Sequence, residues 1–435
     1  MRMRRMGLAL TLALMSAGAT ADDLDGLLDV AKPVSDSGSP YFGFVEFSAA
    51  YAYEDPGHWS KLRARANVGA KGRLSDSVKW KLSGRADVDA APDLEDDIYP
   101  GAVRRDQRDD AMIREAYLDI SAGDWEYRVG RQHVVWGEMV GLFFADVVSA
   151  RDLREFILTE FDQMRTPQWA VRAERFGDDW HLEGLWIPFP SYDDIGRPGA
   201  EFYPFPQTAG VSIAGEEKPT NRIGNMNWGL RASTLVSGWD LSAFFYRSTD
   251  VQQTFYRTEV TPFGVTYTPR HERIRQIGTT FSKDMGQFVF KGEAVHTKGR
   301  KFNTDTMSAA DGLSESETVD YVVGVDIPVG ERWRFNAQYY GRTYLDHEAG
   351  MAVDRNEQGV TLLVNRSFDR GLEAEVLVVS SLNKSDYMVR PKVVWQFTPE
   401  WRGIAGVDVF GGDDIGAFGR FDDSDRVYAE VRRSF

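Results

Sequence analysis

The chain has 435 residues, no cysteine and a formal net charge of −15. An acidic balance of this size argues against nucleic acid as a partner. Without disulfides, a secreted chain this long must be held by a large core or a closed hydrogen-bonded barrel.

The first 21 residues, MRMRRMGLALTLALMSAGATA, place Arg2, Arg4 and Arg5 ahead of an apolar run and end on the small-x-small pattern Ala19-Thr20-Ala21. This is the layout of a secretory signal peptide. Its removal takes the formal charge from −15 to −18 by deleting those three arginines. Residue 22 is Asp rather than Cys, so no lipid anchor is expected. Residues 22–40 read as a periplasmic segment with a short helix, too small for the plug domain of an energy-coupled transporter. Beyond residue 21 no stretch reaches the roughly 18 uncharged apolar residues of a membrane helix.

From residue 41 to 435 the pattern is strand-like. Trp80, Leu82, Gly84, Ala86 and Val88 alternate with Lys79, Lys81, Ser83, Arg85 and Asp87. Trp333, Phe335, Ala337 and Tyr339 alternate with Arg332, Arg334, Asn336 and Gln338. Val389, Val393, Trp395 and Phe397 alternate with Arg390, Lys392 and Gln396. Period-two alternation gives one wet and one apolar face. Two classes of connection take turns along the chain. Short ones such as Leu74-Ser75-Asp76, Ala122-Gly123-Asp124, Ser237-Gly238 and Asp369-Arg370-Gly371 carry hairpin-turn chemistry. Longer polar stretches separate them, near 54–58, 90–109, 133–164, 189–223, 250–270, 299–316, 345–355, 383–385 and 412–423. Eight turns and nine loops predict about 18 strands, with 16 as the alternative, in a transmembrane antiparallel up-and-down β-barrel with both ends on the short-turn side. Trp59, Trp125, Trp180, Trp239, Trp333 and Trp401 fall near strand ends, as an aromatic girdle requires. The last ten residues alternate and end on Phe435, resembling the terminal strand that the barrel-assembly machinery recognises. Arg433 departs from that pattern at the third position from the end, where an interfacial cation can snorkel.

The opposite phase of each strand faces the lumen. It carries a basic track of Arg63, Arg65, Lys79, Lys81, Arg85, Arg390, Lys392 and Arg402, with Lys61, Arg426 and Arg432, across the seam where the last strand meets the first. Inward acids include Glu46, Asp87, Glu126, Glu174, Glu183, Glu293, Glu373 and Glu375. Such charges pair across strands in any wet lumen, or form a cationic track that orients an anionic or amphipathic solute. Acidic clusters such as Glu95-Asp96-Asp97 and Asp413-Asp414 read as solvated loop charge, the other use being divalent cations beside lipopolysaccharide.

The third long loop is unusual for its apolar content, including Val134, Val135, Trp136, Met139, Leu142, Phe143 and Phe144. A loop of that composition would not stand in water, so it is expected to fold inward and narrow the pore. Ser149 or Asp152 could cap a short helix with Leu153, Phe156, Ile157 and Phe161 on one stripe. The candidate constriction residues are Trp136, Gly137, Glu138, Arg151, Asp152, Arg154 and Glu155. The stretches EYRVGRQHVVWGE and ADVVSARDLREFILTEFDQMRTPQWAVRAE resemble a group of proteobacterial outer-membrane barrels catalogued as domain of unknown function 1302, best over residues 86–190. The resemblance carries over Gly130, Arg131, Gln132, Trp136, Gly137, Glu138, Asp152, Leu153 and Arg154, with no role assigned. It implies an architecture like that of substrate-specific porins and alginate-export barrels. Because some members occur beside genes for exporters, it also implies envelope transport of lipid-like cargo.

Six histidines occur in no nucleophile or metal-ligand spacing, so no catalytic residue, metal or cofactor is assigned. The proline-rich loop 189–223 is what a receptor or adhesin would display. The expected function is a porin-like outer-membrane channel of a Gram-negative bacterium for small solutes. The alternative is the outer-membrane component of an export or hydrophobic-compound pathway with an inner-membrane exporter. Outer-membrane lipid and lipopolysaccharide are the expected surroundings, and the chain is monomeric or trimeric.

Overall fold

The computed structural model describes residues 39–435 apart from 138, 140–143, 206–207, 221 and 307–308. The expected signal peptide, residues 22–38 of the expected periplasmic segment and Glu138 therefore lie outside the described residues. One antiparallel sheet of 18 strands closes on itself. The strands are β1 (Tyr41–Ala52), β2 (His58–Ser75), β3 (Val78–Asp89), β4 (Asp109–Ala122), β5 (Trp125–Gln132) and β6 (Gln168–Phe176). They continue as β7 (Trp180–Phe189), β8 (Asn227–Val236), β9 (Trp239–Thr249), β10 (Arg273–Asp284), β11 (Val289–Lys298) and β12 (Thr318–Val329). The circuit ends with β13 (Trp333–Tyr344), β14 (Asn356–Ser367), β15 (Leu372–Ser381), β16 (Tyr387–Gln396), β17 (Trp401–Gly411) and β18 (Arg426–Ser434).

Each strand pairs with its chain neighbours, and β1 pairs with β18, Ala49 opposite Ala429. At the seam Gly43 N–H donates to Phe435 O at 3.0 Å, and Phe435 N–H returns the bond at 2.9 Å. Closure matters because an open edge in hydrocarbon would leave unpaired backbone groups. The outward phase exposes Val68, Leu82, Leu230, Ile277, Val393 and Val431, an apolar band that only lipid can cover. Eight short turns occupy one rim and nine loops the other: L1 (53–57), L2 (90–108), L3 (133–167), L4 (190–226), L5 (250–272), L6 (299–317), L7 (345–355), L8 (382–386) and L9 (412–425).

Along the short-turn rim, cations lie over the girdle tryptophans. Arg175 sits 5.8 Å from the Trp125 ring, Lys283 4.9 Å from Trp239 and Arg366 4.7 Å from Trp333. Arg433, the departure from the terminal-strand pattern, lies 5.8 Å from the Trp401 ring. A guanidinium at the interface keeps its charge in water while its stem covers the indole.

Candidate functional site, a loop seated on a cationic wall

L3 (residues 133–167) leaves β5 and turns into the lumen. Its first limb packs Val134, Trp136, Ala145 and Val148 against Leu185 and Ile187 of β7, Phe244 and Tyr246 of β9 and Val295 of β11. Trp136 is fully buried, its ring 5.2 Å from Phe244 and 5.6 Å from Tyr246. Its Nε1–H donates to Glu183 Oε1 at 2.9 Å. Gly229 of β8 makes room for the indole, since a Cβ there would lie 2.6 Å from it. Glu293 of β11 accepts from the backbone N–H of Met139 at 3.0 Å and of Ala145 at 2.9 Å. Gly137 is buried beside Trp136.

The second limb starts where Ala150–Arg151 pairs with Arg165–Thr166. Arg151 is buried, its N–H donating to Asp193 Oδ1 of L4 at 2.8 Å and its guanidinium to Asp146 O at 3.0 Å. Asp152 meets Arg154 at 2.7 Å and Arg85 of β3 at 3.4 Å, and Arg154 also reaches Asp110 at 3.0 Å. Glu155 is held by Lys61, by Arg63 at 2.5 Å and by Arg426 at 3.4 Å. Glu160 is held by Arg402 at 2.7 Å and Arg432 at 2.8 Å. L3 thus lays two carboxylates along the cationic arc made by β2, β17 and β18.

Burial pushes each of these carboxyls up, but the cations outweigh it. Lys61, Arg63 and Arg426 hold Glu155 well below the usual carboxylate range, and Arg432 and Arg402 do the same for Glu160. Asp193 is the opposite case: burial pushes it up to about 6, and Arg151 offsets this only in part.

The helix expected over residues 149–161 does not form. Residues 153–158 make two tight turns, with Phe156 at φ +52°, and only the single turn Phe161–Met164 is helical. The cause is that the start of the segment is committed elsewhere: Ala150–Arg151 pairs as a strand with Arg165–Thr166, and the N–H groups of Asp152 and Leu153 donate to Met164 O and Asp194 O, both at 2.7 Å. Arg390 donates to Leu158 O at 3.0 Å, Arg85 to Gln163 O at 2.9 Å, and Arg114 of β4 to Arg165 O at 2.6 Å and to Asp162 O. These bonds tie the far end of the segment to the wall. The left-handed Phe156, unfavourable for a bulky residue, is held by Phe421 at 5.0 Å, Phe418 at 5.9 Å and Phe410 at 6.4 Å.

Most other basic-track positions pair with acids of the wall, Arg390 in addition to its bond to L3. Arg65 grips Asp87 through two bonds of 2.7 and 3.0 Å, Lys81 meets Glu115 at 2.7 Å and Lys392 meets Glu375 at 2.8 Å. Arg390 shares Asp408 with Arg426, at 2.7 and 2.9 Å. Lys79 is exposed and stays away from L3. It lines a polar recess of about 190 Å³ with Asp119, Glu126, Arg128, Arg172 and Glu174 near the short-turn mouth.

Sequence reasoning missed how many loops enter. Tyr99 of L2, Ile195, Phe202, Tyr203 and Phe205 of L4, Phe255 of L5, and Phe418 and Phe421 of L9 join Leu153, Phe156 and Leu158 in one buried apolar cluster. Inward side chains Val322, Tyr340, Val379, Met388 and Phe410 complete it from the wall. L4, which looked like a surface-display loop, sends its middle into the barrel, where Glu201 accepts from Tyr99 at 2.8 Å and meets His58 at 2.6 Å. The apolar density that singled out L3 recurs in EFYPF at 201–205.

This architecture recurs in solved structures of other proteins. OccAB1 of Acinetobacter baumannii superposes with a TM-score of 0.55 at 10% identity, covering 93% of this chain and 97% of that one. OccK8 (OprE) of Pseudomonas aeruginosa gives 0.52 at 10% identity, covering 91% and 97%. OccD3 (OpdP) of the same organism gives 0.50 at 10%, covering 96% and 98%. At such identity the likeness is one of fold. No curated protein matches the chain. The sequence matches the family described as "Protein of unknown function (DUF1302)" over residues 2–435, well beyond the 86–190 stretch where the resemblance is best, and the chain belongs to that family.

Proposed function

We propose that the chain is a gated outer-membrane channel of a Gram-negative bacterium, with L3 as a displaceable plug and small anionic, amphipathic solutes as cargo. The observation that carries this reading is the seating of Glu155 and Glu160 on the cationic arc beside the apolar cluster. A carboxylate or phosphate on a solute has the charge and hydrogen-bonding capacity of those side chains, and its apolar body matches the neighbouring cluster. The same cluster supports a second reading, in which the barrel passes hydrophobic compounds delivered by an inner-membrane exporter.

Planar-bilayer conductance of the purified protein, intact and with residues 136–161 deleted, tests the plug. The intact barrel should conduct little and the deletion strongly. A medium-chain fatty carboxylate should raise current through the intact barrel, whereas its neutral amide should not. If the deletion conducts no better than the intact protein, the plug reading fails. Plug opening with no response to carboxylate would favour the exporter-linked pathway.

A further inference from the structure

We propose that Glu174, His181 and Glu183 form a binding site for a divalent transition-metal ion on the lumen wall. The β6–β7 register sets Glu174 opposite Glu183 and Phe176 opposite His181. One ligand atom from each of the three groups lies within 4.8 Å of the others. Metal bonds of about 2.0–2.2 Å bring such atoms to somewhat closer spacing, which small rotations of two glutamates supply.

Three features go beyond a chance cluster. His181 Nε2 faces Glu174 Oε1 at 3.2 Å, with no other partner among the described residues. Phe176 stacks on the imidazole at 4.3 Å with an interplanar angle of 1°, fixing its plane. Each carboxylate has one oxygen already engaged: Arg172 holds Glu174 Oε2 at 2.8 Å, and Trp136 donates to Glu183 Oε1 at 2.9 Å. Metal-ligating carboxylates are ordinarily oriented by outer hydrogen bonds of this kind. Two carboxylates with one imidazole suit zinc(II), manganese(II) or iron(II) better than calcium or magnesium. Glu174 also lines the polar recess, which gives an ion and its remaining water ligands a path from the short-turn mouth. Arg172 tempers the negative charge of the two carboxylates and so weakens cation binding. Because Glu183 also carries Trp136, an ion here would fix the carboxylate on which the first limb of L3 hangs. That coupling rests on the plug reading; the binding itself does not.

The test is calorimetric titration of the tag-free, detergent-solubilised barrel with zinc chloride, for wild type, His181→Gln and Glu174→Gln. Folding of each variant is checked by the faster migration of unheated barrel on a denaturing gel. Wild type should bind one zinc per barrel, and each variant at least about tenfold more weakly. Cobalt(II) gives a second measurement, since a bound ion of low coordination number has a visible absorption that the hexaaquo ion lacks, and His181→Gln should change it. No zinc binding by wild type at millimolar metal, or equal binding by wild type and both folded variants, overturns the site. Zinc binding retained after deletion of residues 136–161 leaves the site standing whatever the fate of the plug.

Discussion

Replacing Glu155 by Gln asks whether ion pairs hold the plug in its seat. The carboxylate is 18% exposed and faces Lys61, Arg63 and Arg426, whose side chains are 6%, 11% and 2% exposed. Arg426 keeps Asp408 at 2.9 Å after the change, so its loss is small. Lys61 and Arg63 keep the neutral amide oxygen in place of an anion. Breaking a buried pair by neutralising one partner typically costs about 3–5 kcal/mol, because the remaining charge stays desolvated. At about 1.4 kcal/mol per factor of ten, undocking becomes favoured between roughly a hundred- and a few-thousand-fold. Adding Glu160→Gln leaves Arg402 on the same arc without its carboxylate, while Arg432 keeps Glu46 at 2.5 Å. The assay is single-channel recording in planar bilayers, read as open probability, with the reversal potential in a salt gradient as a second observable. Open probability should rise in the single variant and more in the double one, and the reversal potential should move toward chloride as the arc is uncovered. A folded double variant with wild-type open probability and selectivity would refute the claim that these pairs seat L3.

Further outcomes follow from the same geometry. Gly229→Ala puts a Cβ 2.6 Å from Trp136 and 2.8 Å from Tyr246, an overpacking worth about 1–3 kcal/mol, so thermal unfolding should shift down and L3 should become cleavable in limited proteolysis. Glu155 and Glu160 are depressed, so their contribution is present above the ordinary carboxylate range and lost only as pH falls through their own lower values. Conductance of the intact barrel should therefore stay flat from pH 7 to about 4.5 and rise only in stronger acid. Asp193 is raised to about 6, so its contribution is present below its ordinary value and lost as pH rises through about 6. Asp193→Asn should consequently raise the unfolding temperature at pH 7.5, by no more than about 3 kcal/mol of stability, and leave it unchanged at pH 4. Ile277→Arg, on the lipid face of β10 at 59% exposure, should cost about 2–4 kcal/mol in urea-dependent folding into vesicles.

The wall was legible in the sequence because its signals are local. Alternation at period two and turn residues at the short rim need no knowledge of distant contacts, and they predicted 18 strands, their order and the inward phase of Arg63, Arg390 and Arg402. The inward folding of L3 was legible from its apolar content. Its conformation was not, because partners of its backbone groups, Asp194 of L4 and Arg390 of β16 among them, lie far away in sequence. The stripe of Leu153, Phe156 and Ile157 was therefore mistaken for one helix face; Phe156 and Leu153 meet partners from other loops and the wall. Nor does local pattern pair Glu160 with Arg432, 272 residues on.

A buried ion pair is poor evidence for stability, since desolvation of both charges roughly cancels their attraction. That weakness suits a plug. The cations of the arc remain desolvated in the lumen whichever anion faces them, so exchanging Glu155 or Glu160 for a solute carboxylate leaves the electrostatic balance nearly unchanged. The difference between closed and occupied states then falls to apolar contact. L3 brings Leu153, Phe156 and Leu158 to the cluster around Phe410, Phe418 and Phe421. A small hydrophilic anion, acetate for instance, can match the charge but not that contact, at about 25 cal/mol per Å² of apolar surface. A solute with both can replace the loop. Opening should therefore steepen with the alkyl length of the carboxylate, by roughly 0.8 kcal/mol per methylene, and chain length with no charge should have little effect. Equal opening by acetate and by a medium-chain carboxylate would mean that charge alone displaces the plug.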